Sequence, residues 1–147
     1  MEKIKIREMK KTDIKQVKSL VRFLMVSENA DNVEKNVRNI ISNRIQPSLK
    51  SKNSKTFIAE TTNKEIIGFL LIELRYKVKA VIAFLAVKPK YQKLKIGSSL
   101  MREAEKYAKN KKINILETVI SKENKISQKF HKNNDFELFG YTLRKKI

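Results

Sequence analysis

From Val78 to Val87 the chain reads VKAVIAFLAV, a run of strand-forming residues that is apolar on both of its alternating faces. Such a strand has to lie inside a sheet with cover above and below, because a bare face would leave apolar side chains in water. Pro89 ends its ladder, having no N–H to donate. The period then changes: from Gly97 to Lys109, Leu100, Met101, Ala104, Tyr107 and Ala108 recur at helical spacing. A covered strand that hands over directly to an amphipathic helix requires a sheet sandwiched between helices.

The remaining pattern fits that architecture. Lys3 to Arg7 alternates as a short strand with Ile4 and Ile6 on one side. Thr12 or Asp13 is placed to cap a helix carrying Ile14, Val17, Leu20, Val21 and Leu24. Asp31 or Asn32 is placed to cap a second, with Val33, Val37, Ile40 and Ile41 inward. Gln46 to Lys55 reads as a polar loop broken by Pro47. Thr56 to Glu60 and Ile66 to Arg75 read as strands that form an antiparallel meander with Val78 to Val87. Ile113 to Ile120 reads as a fifth strand, Asn124 to Asn133 as a last helix and Phe136 to Arg144 as a last strand. The expected fold is α/β (α+β): a mixed, mostly antiparallel sheet with helices on both faces, in a single domain over residues 1–147.

Composition excludes several classes. The 147 residues contain no cysteine and one histidine, which argues against a disulfide framework, a cysteine nucleophile and a zinc centre. No metal is therefore expected. No apolar run has signal-peptide or membrane-spanning length, so the expectation is a soluble, cytoplasmic protein without a membrane partner. The formal charge of +19, from 34 Lys plus Arg against 15 Asp plus Glu, favours polyanionic partners such as nucleic acid, an anionic cofactor or an acidic protein surface. The lysines run along the whole chain without one dense block, as a compositional bias spread over solvated faces would also place them.

Between Pro89 and the helix the turn presents free backbone N–H groups around residues 93 to 98. A helix start carries about half a positive charge and binds phosphates. Lys93 and Lys95 add full charges, and Gly97 permits close approach to a ligand or to the sheet. One glycine and two lysines also suit an ordinary strand-to-helix connection.

The residues themselves narrow this. Val87-x-Pro89-x-Tyr91-Gln92-x-x-x-Ile96-Gly97-x-x-Leu100 resembles the acetyl-CoA-binding motif of the GNAT superfamily of N-acetyltransferases, V-x-P-x-[YF]-[RQ]-x-x-G-[IVL]-G-x-x-L. Asn124-x-x-Ser127-x-x-Phe130-His131-x-x-x-Asp135-Phe136 is similar to that family's N-x-x-A-x-x-L-Y-x-x-x-G-F at every interval. The resemblance implies that Leu85, Ala86 and Val87 pair with the pantetheine arm of acetyl-CoA as an added strand would. It implies that Lys93, Leu94, Lys95, Ile96, Gly97 and Ser98 cradle the pyrophosphate, and that Gln92 and Asn124 contact the cofactor. Backbone N–H groups would polarise the acetyl carbonyl. Two departures stand out: Lys95 replaces the first motif glycine, and Asp135 replaces the glycine before Phe136. Only eleven residues follow Phe136, where the family usually fits two strands. That implies a last hairpin reduced to one strand, with a homodimer through the C-terminal strand as one way to complete it.

Acetyl transfer needs a neutral amine, a stabilised oxyanion and a proton for the departing thiolate. The family's tyrosine for the last task is His131 here: a histidine could act as the acid when protonated, or pack on the cofactor without proton transfer. The fourth strand holds no acid, so the candidates for a general base are Glu117, on the same strand face as Val119 where related proteins carry a glutamate, and Glu73; a water chain, or an amine that arrives neutral, would serve without either. A protein or peptide amine is the expected acceptor, since a +19 chain repels a polyamine. Two further classes stay open: an acyl-CoA-binding regulatory domain without catalysis, and a basic nucleic-acid-binding module on the same fold.

Overall fold

The computed structural model describes residues 3–24 and 30–147. One five-stranded sheet runs in chain order: β1 (Lys5–Glu8), β2 (Ser54–Glu60), β3 (Ile66–Arg75), β4 (Lys79–Val87) and β5 (Leu116–Thr118). The first four are mutually antiparallel, and β5 lies parallel to β4. A parallel pair needs a long crossover, supplied here by α3 (Ile96–Asn110). Helices α1 (Ile14–Leu24) and α2 (Ala30–Ile40) intervene between β1 and β2, and α4 (Lys125–Asn133) follows β5.

Two apolar clusters confirm cover on both faces of the sheet. Val17, Leu20 and Val21 of α1, Val37 of α2, and Ile41 and Ile45 pack on Ile58, Phe69 and Leu71. Leu100, Met101, Ala104 and Ala108 of α3 pack on Ala59, Leu70, Ile72 and Ile82. β3 serves both clusters, which explains its unbroken apolar run from Ile66 to Ile72, all of it buried.

Several sequence expectations are corrected. The first strand is Lys5–Glu8, because its ladder with β2 runs from Lys5 opposite Glu60 to Glu8 opposite Phe57. Asp13 does not cap α1. It closes a 3-10 turn over Lys11–Asp13 by accepting from the Lys10 amide at 2.7 Å. Its carboxylate also takes Arg7 at 2.7 and 3.0 Å, and Arg7 reaches on to Glu60 at 2.9 Å. α2 is already helical at Ala30, so Asn32 lies inside the helix, and the Asp31 side chain lies outside the described residues.

The loop expected over Gln46 to Lys55 is mostly ordered. Val37, Ile41 and Ile45 continue one inward stripe, and the chain follows it through a π-helical turn (Ile41–Ile45) and a 3-10 turn (Gln46–Leu49). Ser48 is buried, donating to Ile45 O at 2.5 Å and sharing a hydrogen bond with Thr56 Oγ1 at 2.7 Å. β2 then begins at Ser54.

The strand expected over Ile113 to Ile120 shrinks to Leu116–Thr118, because its only ladder is with Ala80–Ile82 of β4 and that ladder ends at Thr118. Before it, Lys112 turns left-handed at φ 60° and Ile113 donates back to Ala108 O at 2.9 Å, sealing the end of α3. The strand expected over Phe136 to Arg144 is not formed. Phe136 packs against the core, but Leu138, Phe139, Tyr141 and Leu143 are exposed, and the segment has no ladder to join.

Candidate active site

β4 and β5 part company at one residue. Leu71 sits opposite Phe84 and Ile72 opposite Ile82, so Ala83 has no partner and forms a bulge. The last pairing with β5 is Ile82 with Thr118, whose hydroxyl donates to Ile82 O at 3.2 Å. Beyond it the strands separate around a cleft of about 270 Å³ that runs from Leu24 at the end of α1, past Ile82–Leu85 and Thr118–Ile120, to Ser127 and His131 on α4. β4 was expected to be covered along its length; from Ala83 to Leu85 it is only half-buried because β5 has stopped.

Strand alternation says what the open edge offers. Lys88 N donates to Ile67 O at 2.8 Å, so residue 88 bonds towards β3. By the two-residue period, Ala86 and Phe84 do the same, and Leu85 and Val87 turn their N–H and C=O groups to the open side. The Gln92 side chain reaches back to Val87 O at 3.2 Å, linking the strand end to the following turn.

That turn is a 3-10 segment, Pro89–Leu94, ending at Lys95 with φ 57° and ψ 28°. Lys95 therefore holds the left-handed conformation that glycine adopts freely, and serves as N-cap of α3. Ile96, Gly97 and Ser98 follow as the first helical turn, whose amides have no intrahelical acceptor. Gln92, Lys93, Leu94 and Lys95 are exposed around it, and Ile96 is buried beneath. Gly97 also has a packing duty. A Cβ there would meet the Phe130 ring at 3.0 and 3.1 Å, so its small size lets α4 lie against α3.

α4 is fixed at its start by Asn124, whose Oδ1 accepts from the Ser127 amide at 3.0 Å. Asn124 is exposed and the carboxamide oxygen is occupied by this cap. One helical turn past Ser127, His131 is buried, with Phe130 and Phe136 edge-on at 5.0 and 5.1 Å. Its Nδ1 lies 2.8 Å from Ser127 O. A carbonyl only accepts, so Nδ1 carries the hydrogen and Nε2 is the lone-pair nitrogen of the neutral ring. Nε2 is buried without a hydrogen-bond partner, the one such side-chain atom among the described residues.

The two candidate carboxylates lie elsewhere. Glu117 is on the sheet face towards α1, bonded to Lys79 Nζ at 2.7 Å, and is not part of the cleft wall. Burial alone would push the Glu73 carboxyl up, but hydrogen bonds from Arg44 and Arg75 outweigh it and hold the group below its ordinary range. Pattern reading overlooked Ala83, Phe84 and Thr118 as features of the cleft, because a bulge inside an all-apolar run leaves no break in alternation.

An acyl-CoA fits these residues. An open strand edge suits an amide-rich arm, a cationic helix start suits a diphosphate, and the orphaned His131 Nε2 awaits a polar partner. Among the described residues no group of His, Asp or Glu could hold a metal ion, and no helix is long and apolar enough to cross a membrane.

The family model described as Acetyltransferase (GNAT) family matches residues 20–136. No curated protein matches the chain by sequence. Among solved structures, the chain is similar to the PaiA N-acetyltransferase of Thermoplasma acidophilum in complex with coenzyme A, at 25% identity and TM-score 0.77, covering 90% of this chain and 88% of that one. It is similar in fold to aminoglycoside 6'-N-acetyltransferase AAC(6')-Ih of Acinetobacter baumannii, at 18% identity and TM-score 0.77, covering 99% and 98%. The same holds for AAC(6')-Iy in complex with a bisubstrate analogue, CoA-S-monomethyl-acetylneamine, at 21% identity and TM-score 0.78, covering 99% and 98%.

Proposed function

The chain belongs to the acetyltransferase (GNAT) family, and from that premise we propose that it moves the acetyl group of acetyl-CoA to a primary amine in the cleft between β4 and β5, with His131 handling the proton. The acceptor in this reading is an amine on a protein or peptide. The observation that carries the reading is the parting of β4 from β5 at Ala83, with His131, whose Nε2 is buried and unpartnered, on the wall of the gap.

When bound, acetyl-CoA supplies an activated acetyl thioester. Leu85 and Val87 hold its arm through backbone groups, as an added strand would be held. The first-turn amides at Ile96, Gly97 and Ser98, with Lys93 and Lys95 beside them, hold the diphosphate. Gln92 keeps the strand end and the turn together, and Asn124 sets the register of α4 by capping it. His131 takes a proton at Nε2 from the incoming amine and returns it to the departing sulfur, while Ser127 O keeps the Nδ1 hydrogen in place. Glu117 and Glu73, each held by its own cations, take no part in the proton transfer.

Calorimetry with acetyl-CoA and thiol release with a panel of amines test this. Binding accompanied by amine-dependent thiol release supports the reading. Binding with no acetylation of any amine leaves only a cofactor-binding domain and sinks it. His131→Phe is expected to keep cofactor affinity and lose about 10²-fold or more in kcat; unchanged turnover would remove His131 from the mechanism.

A further inference from the structure

The cleft has a second mouth, on the sheet face opposite the groups assigned to the cofactor. The cleft passes through the sheet, with Ser127 and His131 at the α4 end and Leu24 at the α1 end. Leu85 and Val87 pack on the α3 cluster, whereas the bulge turns Ala83 and Phe84 to the α1 cluster. The α1-side mouth is therefore the one left to the amine.

The sheet face beside that mouth carries matched charges. Glu73, Val81 and Glu117 form one row across β3, β4 and β5, on the face towards α1. Both carboxylates are already engaged: Glu73 by Arg44 and Arg75, Glu117 by Lys79. Three cations thus answer two carboxylates. None of the described residues on the cleft wall is acidic. The Arg44 guanidinium lies over the Phe84 ring at 5.0 Å, and the side chain is 37% exposed. Glu73 holds Nε and Nη2 of Arg44, which leaves Nη1 for a further acceptor oxygen.

Resting on the acetyltransferase reading, we infer that the acceptor amine is carried by a molecule with a carboxylate close to the amine, and that Arg44 over Phe84 selects it. A polycation such as an aminoglycoside or a polyamine needs uncompensated carboxylates near the mouth, and the described pair on this face, Glu73 and Glu117, is compensated. The net charge of +19 works the same way at long range, concentrating anionic acceptors and repelling polycations.

Thiol release with wild-type protein tests this on four amines: a short peptide with Asp residues beside its amine, its Asn isostere, spermidine and neamine. The acidic peptide is expected to lead its isostere by about tenfold in kcat/KM, through KM, with the lead shrinking as salt is raised. Free aspartate as a fifth substrate tells whether a small amino acid or a peptide supplies the carboxylate. Arg44→Gln is expected to bring the acidic-to-isostere ratio near one, and Arg44→Lys to restore part of it, with melting curves checking that both variants fold. Faster turnover of spermidine or neamine, or a wild-type ratio near one, overturns the inference even if Arg44→Gln cannot be purified. Amines acetylated without acid preference sink this inference alone. If acetyl-CoA binds and no amine is acetylated, the acetyltransferase reading falls first and takes this one with it.

Discussion

Lys95 occupies a backbone conformation that a side chain resists. At φ 57° its Cβ crowds the carbonyl, at a cost of about 1 kcal/mol relative to glycine. Lys95→Gly is expected to raise Tm by about 2–4 °C and, with a cation removed from the helix start, to weaken acetyl-CoA binding. Melting and calorimetry read the two effects separately. The departure at this position was visible in the residues, and its geometric cost follows once the turn is seen. Arg7 is the opposite case, since nothing in its surroundings in the chain announces that Asp13 and Glu60 converge on it. Hydrogen bonds from Arg7 lead the causes that hold both carboxyls below their ordinary range. The stability they lend is present above the ordinary carboxylate range near pH 4 and is lost as pH falls through the lower folded values. Arg7→Met strands two buried anions and is expected to cost about 3–5 kcal/mol at pH 7. Urea unfolding at pH 7, 5 and 3.5 should show the gap to wild type narrowing as the medium acidifies.

At the level of elements, the most faithful readings were β3, β4 and α3, whose long apolar patterns leave little choice of period. The failures share one cause: a ladder is a property of two segments and a pattern belongs to one. Ile113 to Ile120 is apolar enough for eight residues of strand, yet the neighbouring β4 bulges at Ala83 and offers pairing for three. Phe136 to Arg144 has strand-like composition and no partner strand among the described residues. Gly97 was read as room for a ligand or for the sheet; the neighbour it also makes room for is Phe130, thirty-three positions on and invisible to local pattern. Gly97→Ala illustrates the coupling of α3 to α4. Alanine's helix preference, worth up to about 1 kcal/mol, offsets an overpacking cost of similar size, so Tm is expected to move by less than about 3 °C. Phe130 must still shift, and it precedes His131. The kcat is expected to fall about tenfold or more, which steady-state kinetics would reveal against an unchanged melt.

Across the whole molecule, the two apolar clusters meet only through the sheet, and the last eleven residues contribute to neither. Removing residues 137–147 is therefore expected to leave Tm within about 1 °C of the full chain; a drop of several degrees would show that the segment carries stability of its own. Overall charge was legible from composition, but its direction of action was not. Its meaning at the cleft depends on which carboxylates are already matched, and that is decided by the row of Glu73, Val81 and Glu117 across three strands.

The three-residue attachment of β5 also sets an order of opening. Its amides, and those of α4 beyond it, are protected by few bonds and shallow cover, while β3 is buried on both faces. Hydrogen–deuterium exchange should then proceed through local opening at the outer wall of the cleft, with β3 exchanging only on global unfolding. A ligand bridging Leu85 to α4 would slow the first class and leave the second nearly untouched.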